Sequence, residues 1–275
     1  VAQRLIPKRS FRQQRGLGLV ELMIAGTLSV IIGMILFQLM MGANRSGNRI
    51  GSMSEAQENA RFAIHWLAEH IAAGGYNPFS EVAPDSIVMA ACSNNATPPA
   101  ANAHCSIDNT DTPDQVAIER VSDNGLTCTG ASLADLGVAE TDMVVDVFWV
   151  ERDSGSGDDE YDDLLRCATY TSSGTLLDSA QTLTSGIEDL QLLYATEDSH
   201  GFVALADISD VSAISAVRLA ILARGYSDAA RLTGTRSYLR LDADPLRFSD
   251  GVPRLMFEDT VYLMNSENVV ADNSE

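Results

Sequence analysis

Positive charge is what this chain has least of. Eighteen Lys and Arg face 38 Asp and Glu over 275 residues, and Lys8 is the only lysine. A formal net charge of −20 repels nucleic acid and anionic headgroups, which argues against a phosphate-binding role. Metal and catalytic signatures are also missing. The four cysteines form no C-x-x-C pair and have no histidine cluster beside them, against zinc. His65 and His70 are five apart, not the i, i+4 spacing of a zinc pair on a helix. His104 and His200 stand alone in loop-like surroundings. No G-x-S-x-G elbow, Walker loop or dinucleotide fingerprint occurs, and no internal repeat. Trp66 and Trp149 read as core or sheet packing rather than a ligand platform. The expectation is a chain that is not an enzyme and holds no cofactor.

What the chain does have is a long apolar run. From Leu17 to Met41 only Glu21 is charged. A carboxylate inside a membrane span costs roughly 2.5–3.5 kcal/mol on insertion scales, so it is seldom there without a partner or a task. Arg4, Lys8, Arg9, Arg12 and Arg15 precede the run, with no acidic residue among them. Basic residues beside a span stay cytoplasmic, so the C-terminal bulk is expected outside the cytoplasm. An ordinary secretory signal is cut after its apolar region. Here the small residue, Gly16, comes before it. An uncleaved signal anchor is the plainer alternative, and it leaves Glu21 and Gly16 unexplained.

Arg15-Gly16-Leu17-Gly18-Leu19-Val20-Glu21 resembles the class III signal of type IV pilins and type II secretion pseudopilins. The resemblance implies a cut between Gly16 and Leu17, methylation of the new terminus at Leu17, and Glu21 as the fifth residue of the mature chain. It further implies that Glu21 faces the freed amine of a neighbouring subunit during assembly; the bland reading of Glu21 is a helix-start carboxylate favoured by the helix dipole. Leu17 replaces the usual Phe or Met, Gly18 the usual Thr or Ser, and Gln38 a frequent Pro, which points to a minor rather than a bulk subunit. Three further stretches resemble PilW-type minor pilins: Ala56–Ile64 running on to Ala73–Tyr76, Ser185–Tyr194, and Val217–Arg224. Removing residues 1–16 takes five positive and no negative charges from −20, leaving −25.

The periodicity predicts one helix over residues 17 to about 73, with a bend near Gly42. Its later half carries an apolar stripe of Met53, Ala56, Ala60, Ile64, Leu67 and Ile71 at helical spacing. Glu55, Glu58, Arg61, His65 and Glu69 lie on the other face, so this half should rest on a sheet. Gly74-Gly75 ends the helix and Asn77-Pro78 forbids its continuation. Strands are expected at Ile87–Ala90, Gln115–Val121, Met143–Glu151, Leu164–Tyr170, Ile187–Ala195, Ala213–Arg224 and Phe257–Met264.

Four cysteines suit an oxidising compartment and allow three pairings. Cys92 with Cys105 and Cys128 with Cys167 is the unnested choice; the first bridge would close a Pro-containing loop, worth about 3 kcal/mol on the chain-entropy model. The run Asp153–Asp163 is densely acidic. Asp153, Asp158, Asp159, Glu160 and Asp162 offer a weak calcium loop, but their spacing is not that of an EF-hand, and a solvated hairpin loop is the bland reading.

The expected fold is α+β: a long N-terminal transmembrane and amphipathic helix packed on an antiparallel β-sheet head, the pilin-like plan. The expected division is a leader at 1–16, a membrane span at 17–42, an amphipathic periplasmic half at 43–75 and a β-rich head at 76–275. The resemblance implies a minor pilin of the type IV pilus, acting in assembly and twitching motility. It would sit in the inner membrane with a cytoplasmic N-terminus and periplasmic head, then in the fibre. Its partners would be other minor pilins and the major pilin, a prepilin peptidase, the inner-membrane assembly platform and a tip adhesin. Two alternatives stay open: a J-like pseudopilin of type II secretion, and a membrane-anchored periplasmic binding protein.

Overall fold

A computed structural model describes residues 18–80, 86–92, 96–152, 163–196, 199–226 and 234–266. The chain divides into two compact units, Val1–Gly47 and Asn48–Glu275. Helix α1, Leu19–Ala72, runs unbroken through Gly42 and contributes to both.

In the first unit every described residue is exposed. Leu19, Met23, Met34, Phe37, Leu39 and Met40 each leave more than half of their surface bare. The helix is long and apolar enough to cross a membrane. Two of its hydroxyls are satisfied within the helix: Thr27 Oγ1 donates to the Ile24 carbonyl (2.9 Å) and Ser29 Oγ to that of Gly26 (2.8 Å).

In the second unit the helix buries Ser52, Ala56, Ala60, Ala63, Leu67 and Ile71. Met53 and Ile64, expected on this stripe, are only half-buried. Ser52 and Ala63 replace them because small side chains let the helix backbone come close. A Cβ on Gly225, after the strand at 214–224, would lie 2.1 Å from Ser52 Oγ. The helix ends where the glycine pair predicts. Gly75 adopts φ +73°, and a Cβ on Gly74 would fall 2.5 Å from Ile87 Cγ2.

Four strands form one antiparallel sheet in chain order: β1 Gln115–Val121, β2 Met143–Glu151, β3 Leu164–Thr171 and β4 Gln181–Ser185. A second, three-stranded sheet contains β5 Ile187–Thr196, β6 Ile214–Arg224 and β9 Arg254–Tyr262, in that order. A short hairpin, β7 Arg236–Tyr238 with β8 Leu246–Phe248, lies between β6 and β9 in sequence. The chain passes from the first sheet to the second at Gly186 (φ +74°), whose amide and that of Ile187 both donate to the Asp163 carbonyl. One core joins Ala60, Ala63, Leu67 and Ile71 of the helix to Phe148 and Leu165 of the first sheet and Leu190, Leu192, Leu219 and Ile221 of the second. The expected α+β plan of a long helix with antiparallel sheets is therefore what this chain adopts.

Three strand expectations change. Ile87–Ala90 makes a single bridge, Val88 to Ile118, instead of a strand. The outer edge of β1 is shared among several short segments: Gly75 and Tyr76, Ile87–Met89, and Ile107 each bond part of it, so none builds a ladder. β9 starts at Arg254, three residues before the apolar pattern at Phe257, because the Arg254 side chain is buried by ion pairing. Strands β4, β7 and β8, of five, three and three residues, are too short to carry a period-two signal, and the sequence does not predict them.

Asp114, just before β1, ties that strand to β5. It is 1% exposed. Its carboxylate accepts from the amides of Asn109 (2.9 Å) and Leu192 (2.8 Å). Burial pushes this carboxyl up to about 8, against the pull of those two amides, and the carboxylates of Asp108 and Asp242 push the same way. The folded state thus holds this proton more tightly than the unfolded chain. The stability it contributes is fully present below the ordinary carboxylate range and is lost as pH rises toward 8. Asp114→Asn should lower stability overall, since the amide offers one acceptor where the carboxyl offers two, yet flatten its decline. Thermal melts between pH 4 and pH 8.5 check this; equal slopes for the two proteins would refute the assignment.

Candidate functional site

Two places in the chain carry the candidate functions: the start of α1 and the junction of the two sheets. At the first, Glu21 stands three residues after Gly18, and the Gly18 amide donates to Glu21 Oε2 at 3.2 Å. This is the reach-back half of a capping box. Gly18 has no side chain to cap the helix, so the carboxylate alone serves the helix start, where the dipole also favours negative charge. The bland reading of Glu21 is thus realised in the geometry. The same exposed carboxylate remains accessible to a partner's cation. Gly16 and Leu17 lie outside the described residues, as do Asp153, Asp158, Asp159, Glu160 and Asp162.

At the second place, the ladder of β5 and β6 contains one extra residue between Ile187 and Asp189. Without it, Glu188 and Asp189 would point to opposite faces of the sheet. The bulge turns both carboxylates to the face away from α1, the face shared with Arg224 and Arg254. Both are buried. Asp189 takes two bonds from Arg240, from Nε at 2.8 Å and Nη2 at 3.2 Å. The same guanidinium donates to the Thr110 carbonyl (2.7 Å) and the Thr112 carbonyl (3.0 Å). Glu188 binds Arg254 through both carboxylate oxygens, with Arg224 3.8 Å away. Arg254 also grips Asp250 at 2.8 and 2.6 Å, and its guanidinium carbon lies 3.6 Å over the Phe248 ring. Bonding to Arg254 holds the Asp250 carboxyl below its usual range. These two arginine forks fasten the β7–β8 hairpin and β9 to β5.

A third buried pair crosses the first sheet. Arg120 on β1 meets Asp146 on β2 at 2.8 Å, and Thr169 on β3 donates to the other Asp146 oxygen at 2.6 Å. Sequence reasoning missed all three pairs. The available signal was the break in apolar alternation at Glu188-Asp189 and Asp146, which reads as polar but not as buried.

The cysteines join as Cys92–Cys105 and Cys128–Cys167, with Cα separations of 5.0 and 6.4 Å. The second bridge lies in the main core. His70 stacks on Trp66 (4.8 Å between rings) and meets Phe148 edge-on (5.4 Å), and its Nδ1 lies 2.9 Å from the Trp66 carbonyl oxygen. These contacts lock the last turns of α1 onto β2. A cleft of about 330 Å³ beside them is lined by Glu69, Arg120, Asp123 and Thr127. Among the described residues, no three His, Cys, Asp or Glu side chains are placed to share a metal ion. The buried charges grip each other, so the arrangement holds parts together.

Residues 147–265 match the family model described as Type IV Pilus-assembly protein W. That span contains the head stretches Ser185–Tyr194 and Val217–Arg224, so the PilW resemblance read from them is borne out. It also contains Asp189, Arg240, Asp250 and Arg254. Among solved structures, the Type IV-like pilin TTHA1219 from Thermus thermophilus is similar at 13% identity and TM-score 0.46, over 76% of this chain and 97% of that one. No curated protein matches the chain.

Removing one partner of a buried ion pair costs about 3–5 kcal/mol, whereas replacing both with apolar residues is often neutral. Asp189→Ala should therefore destabilise the head by that order, and Asp189→Leu with Arg240→Met by much less. Urea unfolding followed by tryptophan fluorescence gives both values. A double variant as unstable as the single one would show that the loss comes from packing rather than from an orphaned charge.

Proposed function

We propose that the chain is a minor pilin that takes part in type IV pilus assembly and enters the fibre, at its tip. The observation that carries this reading is the exposed apolar first part of α1, up to Gly47, ahead of a head whose residues 147–265 match the PilW family model. In this reading residues 1–16 are a leader held in the cytoplasm by its basic charge, and residues 17–42 anchor the precursor in the inner membrane. Residues 43–75 are the periplasmic half of the helix and residues 76–275 the head. A prepilin peptidase cuts after Gly16, and the new Leu17 amine is methylated.

Assembly then replaces lipid around α1 with the helices of other minor pilins and the major pilin. Lipid tails are as apolar as leucine, so the exchange needs a polar term to fix register. Glu21 supplies it. In low dielectric a carboxylate attracts a neighbour's terminal ammonium far more strongly than in water. The hydrogen bond from Gly18 holds the carboxylate at the helix start in the meantime. No catalysis is assigned to the head: among its described residues the buried carboxylates and guanidinium groups are engaged with one another or with backbone groups.

Glu21→Ala should leave membrane insertion intact and reduce incorporation into sheared fibres by about tenfold or more, the worth of one strong charge pair in a site of low dielectric. Immunoblots of the membrane and fibre fractions read both. Undiminished incorporation would refute the role. Terminal peptide mass spectrometry of fibre material should find methylated Leu17; residues 1–16 still attached would refute the processing. Loss of twitching motility rather than of enzyme secretion on deletion separates the pilus from the secretion apparatus.

A further inference from the structure

We infer that a cleft at one end of the first sheet is a binding site for a neutral sugar residue. The cleft encloses about 450 Å³, the size of a small-ligand pocket. Gln115 and Trp149, neighbours across β1 and β2, both line it. Pro98, Pro99, Ile107 and Pro113 give it apolar walls, and Arg152 stands at its rim. These walls are held in place by the protein itself. The Cys92–Cys105 bridge closes the loop that carries Pro98 and Pro99. Ile107 bridges to Gln115, and Arg240 grips the carbonyls of Thr110 and Thr112. A site formed in advance loses little affinity to ordering its own walls.

Two polar groups in this cleft are left unused by the fold. Gln115 is 4% exposed and Trp149 8%. Gln115 Nε2 donates to the Cys105 carbonyl (2.7 Å) and the Ala103 carbonyl (3.3 Å), which commits both amide hydrogens and fixes the way the amide faces. Among the described residues nothing donates to Gln115 Oε1, and nothing accepts from the indole N–H of Trp149. Neither atom is sealed inside the protein, in contrast to the N–H of Trp66, which is buried without an acceptor. At the rim, Arg152 directs Nε and Nη2 to the Glu188 carbonyl (3.2 and 3.1 Å), and its Nη1 meets no acceptor among the described residues.

This unused pair selects the ligand. Gln115 Oε1 requires a donor and Trp149 an acceptor, on neighbouring side chains. An anion without a hydrogen cannot donate, and an ammonium cannot accept. A hydroxyl does both, so a single one can bridge the pair. A peptide carries its donor and its acceptor on separate groups, at a spacing set by its own backbone. A pyranose offers a second hydroxyl to Arg152 and a ring of C–H groups to the proline and isoleucine walls. On a chain of net charge −20 a neutral sugar is favoured over an acidic one. The cleft belongs to the head alone, so it exists whether or not the N-terminal helix assembles as proposed.

The test uses the full chain, isotope-labelled, in a detergent without a sugar headgroup. Its probes are the methyl glycosides of glucose, galactose, mannose and N-acetylglucosamine, beside a peptide of alternating Ala and Pro. The chain has two tryptophans, so its spectrum holds two indole N–H resonances, assigned by triple-resonance spectra of the unaltered protein. At least one glycoside should move the Trp149 resonance along a saturating curve and leave that of Trp66 in place, because the latter N–H is enclosed. Trp149→Phe keeps an aromatic ring and removes the donor. It should weaken binding about fivefold, the worth of one neutral hydrogen bond, read by saturation transfer to the glycoside. Should Trp149→Phe fail to fold, the two indole resonances of the unaltered protein decide. Absence of a saturating shift with all the glycosides, equal movement of both resonances, undiminished binding by folded Trp149→Phe, or a shift produced by the peptide and by no sugar would each overturn the inference.

Discussion

Between Ile187 and Asp189 one surplus residue turns two consecutive carboxylates to the same side of a sheet. Most of the second sheet's outer layer depends on that turn. Through Arg240, Asp189 holds the backbone at Thr110 and Thr112 and the chain around residue 240. Through Arg254, Glu188 holds the start of β9 and, with Asp250 and Phe248, the β7–β8 hairpin. Desolvating four charges is expensive, and the cost is offset because each guanidinium meets a full set of acceptors in good geometry. The gain is specificity of placement: segments distant in sequence have one register against β5.

The helix divides its duties along its length. Up to Gly47 it buries nothing within this chain, and its apolar surface is available to lipid or to other helices. From Ser52 to Ala63 the inner face carries only Ser and Ala and the backbone closes on the sheet, before Leu67 and Ile71 fill the core. A Cβ at Gly225 has no room, and the Phe62–Trp66–His70 stack clamps the final turns. One element thus carries a face that must find partners elsewhere and a face that is already satisfied. That is the physical requirement for an anchor that also presents a head.

Period and punctuation made the helix, its end at Gly74-Gly75 and most long strands legible in the sequence. In those segments local pattern and tertiary burial agree. Legibility failed where burial runs against residue type. Glu188, Asp189, Asp146, Arg240 and Arg254 are buried ions, and a hydropathy reading places every one of them on the surface. The stripe on α1 was displaced for a related reason: Met53 and Ile64 are the more apolar residues, but Ser52 and Ala63 are smaller, and close approach of backbones selects size over hydropathy. Glu21 was legible as a helix-start carboxylate because the capping rule depends on spacing alone.

The scarcity of positive charge joins these features. On β1, β3, β6 and β9 every arginine is committed to a carboxylate of the same chain: Arg120, Arg166, Arg218, Arg224 and Arg254. Arginine suits this use because its planar fork engages two acceptors at once, which an ammonium group does not do. With basic groups drawn into internal pairs and all but Glu21, Glu55, Glu58 and Glu69 of the chain's 38 acids in residues 76–275, the head surface must be strongly negative. In the proposed assembly like heads then repel at close range, so attraction between subunits has to come from a surface without charge. Among the described residues the long surface of that kind is α1 up to Met41, and it carries a single carboxylate, Glu21. A charged exterior and an uncharged helix are therefore two sides of one arrangement, in which contact through the helix is favoured and indiscriminate contact through the head is not.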